Sequence, residues 1–283
     1  MTEINTHKVA IQGITASFHE KAARQFFGET PIETVECFSF RQVAETLKSG
    51  RANYAVLAIE NSIAGSILGN YRLLQDNHFK IIGEVYLHIQ MNLMALPGTP
   101  LEALKSVYSH PIALQQCAEY LHTLDEVQLI DFQDTASAAK MIRDKERRDA
   151  AAVASKVAAD EYGLEILEPR IETNKLNFTR FLILTQKMPE NGNDYNKASI
   201  SFRLGTQAGE LSDVLVALSR RSINLTKIQS VPVIGKPTEY TFYLDLEWDD
   251  LSDYRDAIDA VLRQVSSLSL LGEYQKDEMR YEG

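Results

Sequence analysis

Cysteine occurs only twice in the 283 residues, as Cys37 and Cys117, far apart and in no C-x-x-C spacing. That excludes a disulfide scaffold and a zinc ribbon. Cys117 sits in an apolar helical pattern and reads as a small buried hydrophobe. No apolar run is long enough to span a membrane, and "MTEINTHKVAIQG" lacks a basic segment followed by an apolar one. The expected setting is therefore cytoplasmic, without a membrane partner. Positive charge is also short. The 29 Lys and Arg face 39 Asp and Glu, for a net charge of −10, and no basic block offers a footprint for nucleic acid. A small anionic substrate stays compatible, because it responds to the local field of a cleft. A Walker A loop, a G-x-G-x-x-G fingerprint, an H-E-x-x-H pair and a G-x-S-x-G elbow are all absent. The residues alone imply an α/β enzyme or binding protein for a small anion, with neither metal nor other cofactor.

What is present is order of another kind. The apolar fraction of 45% is ordinary for a globular chain, and the length predicts two domains. From residue 8 to about 185, short apolar strands alternate with amphipathic helices, which predicts βαβ units and a mostly parallel sheet. "KVAIQG" precedes "SFHEKAARQFFG", where Ser17 and Glu20 fit a capping box. In "GEVYLHIQMNLMAL", Val85, Leu87, Ile89, Met91 and Leu93 alternate over a length that suits one strand crossing between lobes. "QKMPENGNDYNK" reads as a linker. Beyond it the order β-α-β-β-α-β over some 80 residues is the ferredoxin-like arrangement.

Four polar clusters fall where a strand meets a turn or a helix, the edge at which open α/β sheets bind ligands. "AIENSIAGSI" delivers Glu60, Asn61 and Ser62 into a turn, with Gly65 allowing close backbone approach. In "YSHPIALQQC", Pro111 suits the first helical position, Ser109 can cap the helix, and Gln116 lies off its apolar stripe. In "DFQDTASAAK", Asp134 or Thr135 caps a helix. In "NKLNFTRFLIL", strand alternation puts Asn177 and Thr179 on one face and Phe178 and Arg180 on the other. A near-buried Arg180 needs a carboxylate, from the protein or from a ligand.

Together the four clusters resemble prephenate dehydratase. The family's I-E-N-S-x-x-G turn stands here as Ile59–Gly65. Its S-H-P-x-A-L-x-Q-C helix start is Ser109–Cys117, its D-T-A start is Asp134–Ala136, and its N-x-T-R-F strand is Asn177–Phe181. "GELSDVLVALSRRSINLTKI" is similar to an ACT regulatory domain. The resemblance implies an α/β fold: a two-lobed, type II periplasmic-binding-protein-like catalytic domain plus a ferredoxin-like βαββαβ ACT domain. The expected limits are 8–185 for the catalytic region (lobe 1 about 8–84 plus 174–185, lobe 2 about 85–173), 186–196 for the linker and 197–276 for the ACT domain.

The resemblance further implies decarboxylating dehydration of prephenate to phenylpyruvate, in phenylalanine biosynthesis, by a homodimer or homotetramer that senses phenylalanine. The implied catalytic residues are Thr179, Asn61, Glu60, Ser109 and Gln116. Ser62, Thr135, Arg180, Phe181 and Ser17 would bind substrate, and Gly209, Leu211, Asn224, Leu225 and Ser230 the effector. Alternatives are an arogenate dehydratase and a non-catalytic amino-acid sensor. Two departures bear on this. Ala16 stands where the family has a glycine in its first turn, so that turn must avoid positive φ or bear strain. Gln229-Ser230-Val231-Pro232 replaces the ACT sequence E-S-R-P.

Overall fold

The computed structural model describes residues 6–187, 194–205 and 207–281, so residues 188–193 of the expected linker lie outside the described residues. The chain divides into two compact units. One holds residues up to Asn70, Val85–Phe181 and those from Glu278 on; the other holds Tyr71–Glu84 and Leu182–Asp277.

The first sheet contains β1 (His7–Gln12), β2 (Ile32–Cys37), β3 (Tyr54–Asn61), the short β4 (Gly65–Ser66), β5 (Lys80–His88) and β11 (Phe178–Thr185), in the order β2-β1-β3-β11-β5 with β4 beside β3. β1 is parallel to both β2 and β3. Its helices are α1 (Phe18–Phe27), α2 (Phe40–Lys48) and α3 (Leu68–Asn77). The capping box at α1 is half formed. Ser17 Oγ accepts from the Glu20 amide at 3.3 Å, but the Glu20 carboxylate reaches the Ala16 amide instead of that of Ser17. β2 and α2 were not anticipated, although Ser39 caps α2 by accepting from the Gln42 amide.

The second sheet has β6 (Asn92–Ala95), β7 (Ser106–Ser109), β8 (Gln128–Asp131), β9 (Ala150–Ala154) and β10 (Glu165–Glu168), in the order β10-β6-β9-β7-β8. It is mixed where a mostly parallel sheet was expected. β7 is parallel to β8 and β9, but β6 is antiparallel to β9 and to β10. The cause is connectivity, since the chain enters this sheet through β6 and leaves it through β10. Its helices are α4 (Pro111–Gln116), α5 (Ala118–Leu121), α6 (Thr135–Asp144) and α7 (Lys156–Tyr162). The helix expected through Cys117 is broken there, at φ −104 and ψ 12. Alanines on α6, β9 and α7 let the layers approach closely over a core that includes Met94 and Ile142.

The long alternating run does cross from sheet to sheet, but as two strands. Residues 89–91 leave the ladder because their backbone groups find partners in the return crossing. Ile89 N donates to Asn177 O at 2.7 Å, Ile171 N to Met91 O at 2.7 Å, and Met91 N to the buried Glu172 carboxylate at 2.8 Å.

Under the first sheet, the buried His19 ring stands edge-on to Phe181 at 5.0 Å and tilted on Phe40 at 5.5 Å, and its Nε2 has no hydrogen-bond partner among the described residues. Burial lowers its pKa to about 3. A folded pKa below the unfolded value of about 6.5 means full stability above 6.5, lost as pH falls towards 3 at up to about 1.4 kcal/mol per unit. His19→Leu is expected to flatten that acid limb. Urea unfolding at pH 7 and pH 5 measures it, and an unchanged difference between the two would refute the assignment.

In the second unit, β12 (Lys197–Arg203), α8 (Glu210–Ser219), β13 (Asn224–Val233), β14 (Lys236–Glu247), α9 (Leu251–Leu262) and β15 (Ser267–Tyr274) realise the βαββαβ order. The sheet runs β13-β14-β12-β15, with every neighbouring pair antiparallel. Ala198, Ile200 and Phe202 of β12 pack with Val214 and Leu218 of α8 and with Ala257 and Val261 of α9. Alternation sends Lys197, Ser199, Ser201 and Arg203 to the opposite face. β15 passes so close to β5 that a Cβ on Gly272 would lie 2.0 Å from the Ile81 carbonyl oxygen.

Candidate active site

β3 ends at Asn61, whose Oδ1 accepts from the amides of Ile63 at 3.0 Å and Ala64 at 2.8 Å, so the side chain itself shapes the turn into β4. Gly65 is needed for its φ of +81; no atom lies within 4 Å of where a Cβ would stand, so close approach is not the reason. Ser62 fastens this turn to β11. Its amide donates to Phe178 O at 2.8 Å, and its Oγ accepts from Phe178 N and donates to Leu176 O, both at 2.9 Å.

Three amides then close a ring. Asn61 Nδ2 donates to Asn177 Oδ1 at 2.7 Å, Asn177 Nδ2 to Gln116 Oε1 at 3.0 Å, and Gln116 Nε2 to Asn61 Oδ1 at 3.4 Å. The ring joins β3, the start of β11 and the last residue of α4. Its direction is not arbitrary. The amides of Ile63 and Ala64 require an oxygen at Asn61 Oδ1, and the sense of the other two bonds follows. Asn61 Nδ2 also lies 2.9 Å from Thr179 Oγ1. Thr179 must therefore accept from Asn61. Among the described residues nothing accepts its own hydroxyl hydrogen, and the side chain is half-buried.

The adjacent residues of the same two strands face the other way. Arg180, 2% exposed, pairs with Glu60 at 3.5 Å and lies over the Tyr86 ring at 5.9 Å. Glu60 and Arg180 are thus brought to each other, not to the Thr179 hydroxyl. Ser109 does not cap α4. Its Oγ donates to Val153 O at 2.6 Å, while His110 Nδ1 accepts from Ile112 N at 3.2 Å and serves as the cap. Burial lowers the pKa of His110 against the pull of Asp134 and Asp131. Asp134, not Thr135, caps α6, accepting from Ser137 N at 2.8 Å. That leaves the Thr135 hydroxyl without a partner among the described residues. Phe181 is core, at 1% exposure, and Ser17 is the α1 cap. Asn177, fully buried, is the residue missed; its same-face spacing with Thr179 was the available signal.

Ala16 does adopt positive φ, +66, at a cost of roughly 1–2 kcal/mol. The turn is held from the second sheet's side: Tyr162 OH donates to Thr15 O at 2.6 Å and Ser155 Oγ to Ala16 O at 3.4 Å. Its methyl is buried in the cluster that contains Met94, Ala138 and Ala158, a contact glycine would lack. Of the expected effector residues, Gly209 and Leu211 line a cavity of about 350 Å³ beside α8, whereas Asn224, Leu225 and Ser230 lie along β13, outside that lining.

Two sheets joined by paired crossings, with a hydroxyl and three amides where the crossings meet β3 and α4, define a two-lobed, type II periplasmic-binding-protein-like region. A ferredoxin-like βαββαβ fold follows it in the chain. The chain belongs to the prephenate dehydratase family, whose model matches residues 9–189. Arogenate dehydratase/prephenate dehydratase 1 of Arabidopsis thaliana is 36% identical over 96% of this chain and 73% of its own. The bifunctional chorismate mutase/prephenate dehydratase of Escherichia coli is 31% identical over 99% and 74%. Among solved structures, a prephenate dehydratase of Arthrobacter aurescens in complex with L-Phe has TM-score 0.83 and 25% identity, covering 95% of this chain and 90% of that one. GqqA, described as a novel type of quorum-quenching acylase, also has TM-score 0.83, at 30% identity over 95% and 98%. No helix among the described residues is long and apolar enough to cross a membrane.

Proposed function

We propose that the protein is a prephenate dehydratase in the cytoplasm, with its catalytic region at residues 8–185 and an effector-binding ACT domain at 197–276. The observation that carries this is the Thr179 hydroxyl, which accepts from Asn61 and keeps its own hydrogen for something not of the protein. In prephenate, the bond from the ring carbon to its carboxylate breaks and that electron pair enters the ring. The ring C–O bond breaks in turn, and its oxygen leaves as water after taking one proton. Phenylpyruvate and carbon dioxide remain. Aromatisation drives the reaction, so what the protein must supply is orientation and that proton. Threonine does not ionise near neutrality. Thr179 therefore acts as a positioned donor or relay to the departing oxygen.

The amide ring is the device that aims it. Asn177→Ala removes two ring bonds, frees Gln116 to turn and leaves Asn61 anchored only through its own turn and β11, with an expected loss in kcat on the order of 100-fold while Thr179 stays in place. Steady-state kinetics checks this, with circular dichroism as the control for folding; an undiminished kcat would mean that the ring does not orient Thr179. The ion pair of buried Arg180 with half-buried Glu60 supports reading Arg180 as structural rather than as a substrate clamp.

A second reading, arogenate as the substrate, is favoured by a relative named arogenate dehydratase 2 at 37% identity and by one named arogenate dehydratase/prephenate dehydratase 1 at 36%. Phenylalanine as effector is supported by the L-Phe complex of the Arthrobacter relative, and a homodimer or homotetramer is proposed with it. The test is an assay of purified protein on prephenate and on arogenate, each with and without phenylalanine. Phenylpyruvate formed from prephenate without additions is the expected result, and no product from either substrate would overturn the proposal.

A further inference from the structure

The outward face of β12 carries four polar residues in a row, and they are not equally provided for. Lys197 Nζ lies 2.9 Å from Glu84 and 3.1 Å from Glu247. Ser199 Oγ donates to Asp245 at 2.5 Å and lies 2.7 Å from Tyr274 OH. The next two, Ser201 and Arg203, have no side-chain hydrogen bond or ion pair among the described residues, although Ser201 is only 6% exposed and Arg203 is half-buried. Both open into a cavity of about 280 Å³ within the second unit, between this face and the segment that joins α3 to β5.

That segment brings more of the same charge. Among the described residues Lys80 Nζ is held only by the Leu270 carbonyl, at 2.9 Å, and His78 also lines the cavity. Ser267 and Ser269 of β15, which pair in register with Arg203 and Ser201, add two hydroxyls. Leu74, Phe79 and Leu271 give an apolar wall, and among the described residues no Asp or Glu lines the space. Within a chain of net charge −10 this is a pocket of two permanent cations and several hydroxyl donors. The Arg203 guanidinium and the Ser201 hydroxyl, with no side-chain partner among the described residues, are thus available to donate to an anion that enters the cavity.

We propose that this cavity binds a small organic oxyanion. Its carboxylate or phosphate group would sit on Arg203, Lys80 and Ser201, and its apolar body against Leu74, Phe79 and Leu271. A planar guanidinium engages such a group through two parallel bonds, which an ammonium cannot match. The site is separate from Thr179 and from the cavity lined by Gly209 and Leu211, and it stands whether or not the chain dehydrates prephenate.

The test uses the full chain, with 4-fluorobenzoate followed by fluorine NMR and inorganic phosphate followed by calorimetry. Wild type is expected to bind at least one of the two. Arg203→Gln is expected to weaken binding by at least about tenfold and Arg203→Lys by less, since it keeps the charge but not the fork. Ser201→Ala should weaken it by a smaller factor, while Thr179→Ala and the exposed Arg220→Gln leave it unchanged. A response to fluorobenzoate alone assigns an apolar carboxylate, and a response to phosphate alone assigns a phosphate head; each supports the site. Failure of wild type to bind either at millimolar concentration overturns the proposal, as does binding that neither Arg203 variant alters.

Discussion

Thr179→Ala is expected to lower kcat on prephenate by roughly 10²–10⁴-fold, the range that one positioned proton donor contributes, with little change in stability. The two halves of this expectation come from the same geometry. Among the described residues the hydroxyl makes one hydrogen bond, accepted from Asn61, and Asn61 Nδ2 has two other acceptors, Asn177 Oδ1 and Phe178 O at 3.2 Å. Removing Oγ1 therefore strands no buried donor, and the ring keeps its three bonds. Thr179→Ser restores the hydroxyl but gives up the stiffness of a β-branched χ1, so it should recover most of the lost rate and fall short of wild type by about tenfold. The measurement is single-turnover formation of phenylpyruvate by the three proteins. Near-normal turnover in the alanine variant would remove Thr179 from the mechanism.

Gly272→Ala is expected to be among the most destabilising single-methyl changes in the chain. The added carbon would stand 2.0 Å from Ile81 O and 2.8 Å from both Ile81 C and Ile81 Cβ. A flexible side chain could turn aside, but a backbone carbonyl in a strand cannot, so β15 or β5 must shift. β15 is poorly able to do so, because it is laddered to β12 through Ser199↔Gly272 beside an existing register shift. Overpacking costs about 1–3 kcal/mol when side chains yield. With backbone as the obstacle, a loss at or above the upper end is expected, a fall in Tm on the order of 10 °C. Gly69→Ala on α3, where nothing lies within 4 Å of the new carbon, is the matched control and should be neutral or slightly stabilising. Equal Tm values for the two variants would show that β15 is free to move.

How much of this was legible beforehand depended on whether a feature was local. The βαββαβ order and the split of Thr179 and Arg180 to opposite faces follow from periodicity, and both are present. β2 escaped notice because it is the edge strand of its sheet and exposes Glu33 and Glu36, so its pattern is diluted by solvent. Ser109 had the chemistry of a helix cap, but β9 lies alongside and Val153 O captures its hydroxyl, so a tertiary partner outweighed a local preference. Glu20 likewise reaches past its usual target to Ala16, whose amide the positive φ has turned towards it. Asn177 could be placed on the face of Thr179 by counting. That it would meet Gln116, 61 residues away in the chain, required knowing that α4 ends beside the crossing.

The amide ring carries one more implication. Asn61 and Asn177 belong to the first sheet and its crossing, but Gln116 ends a helix of the second sheet. A donor and acceptor about 3.6 Å apart no longer form a hydrogen bond, and the Gln116–Asn61 contact, at 3.4 Å, is already the longest of the three. The ring therefore works as an interlock. With both sheets in register, the polarity of every amide, and through Asn61 that of the threonine, is determined. Any motion that draws α4 away breaks both bonds to Gln116 at once and opens the ring, while Asn61, still held by the Ile63 and Ala64 amides, continues to set the direction of the Thr179 hydroxyl.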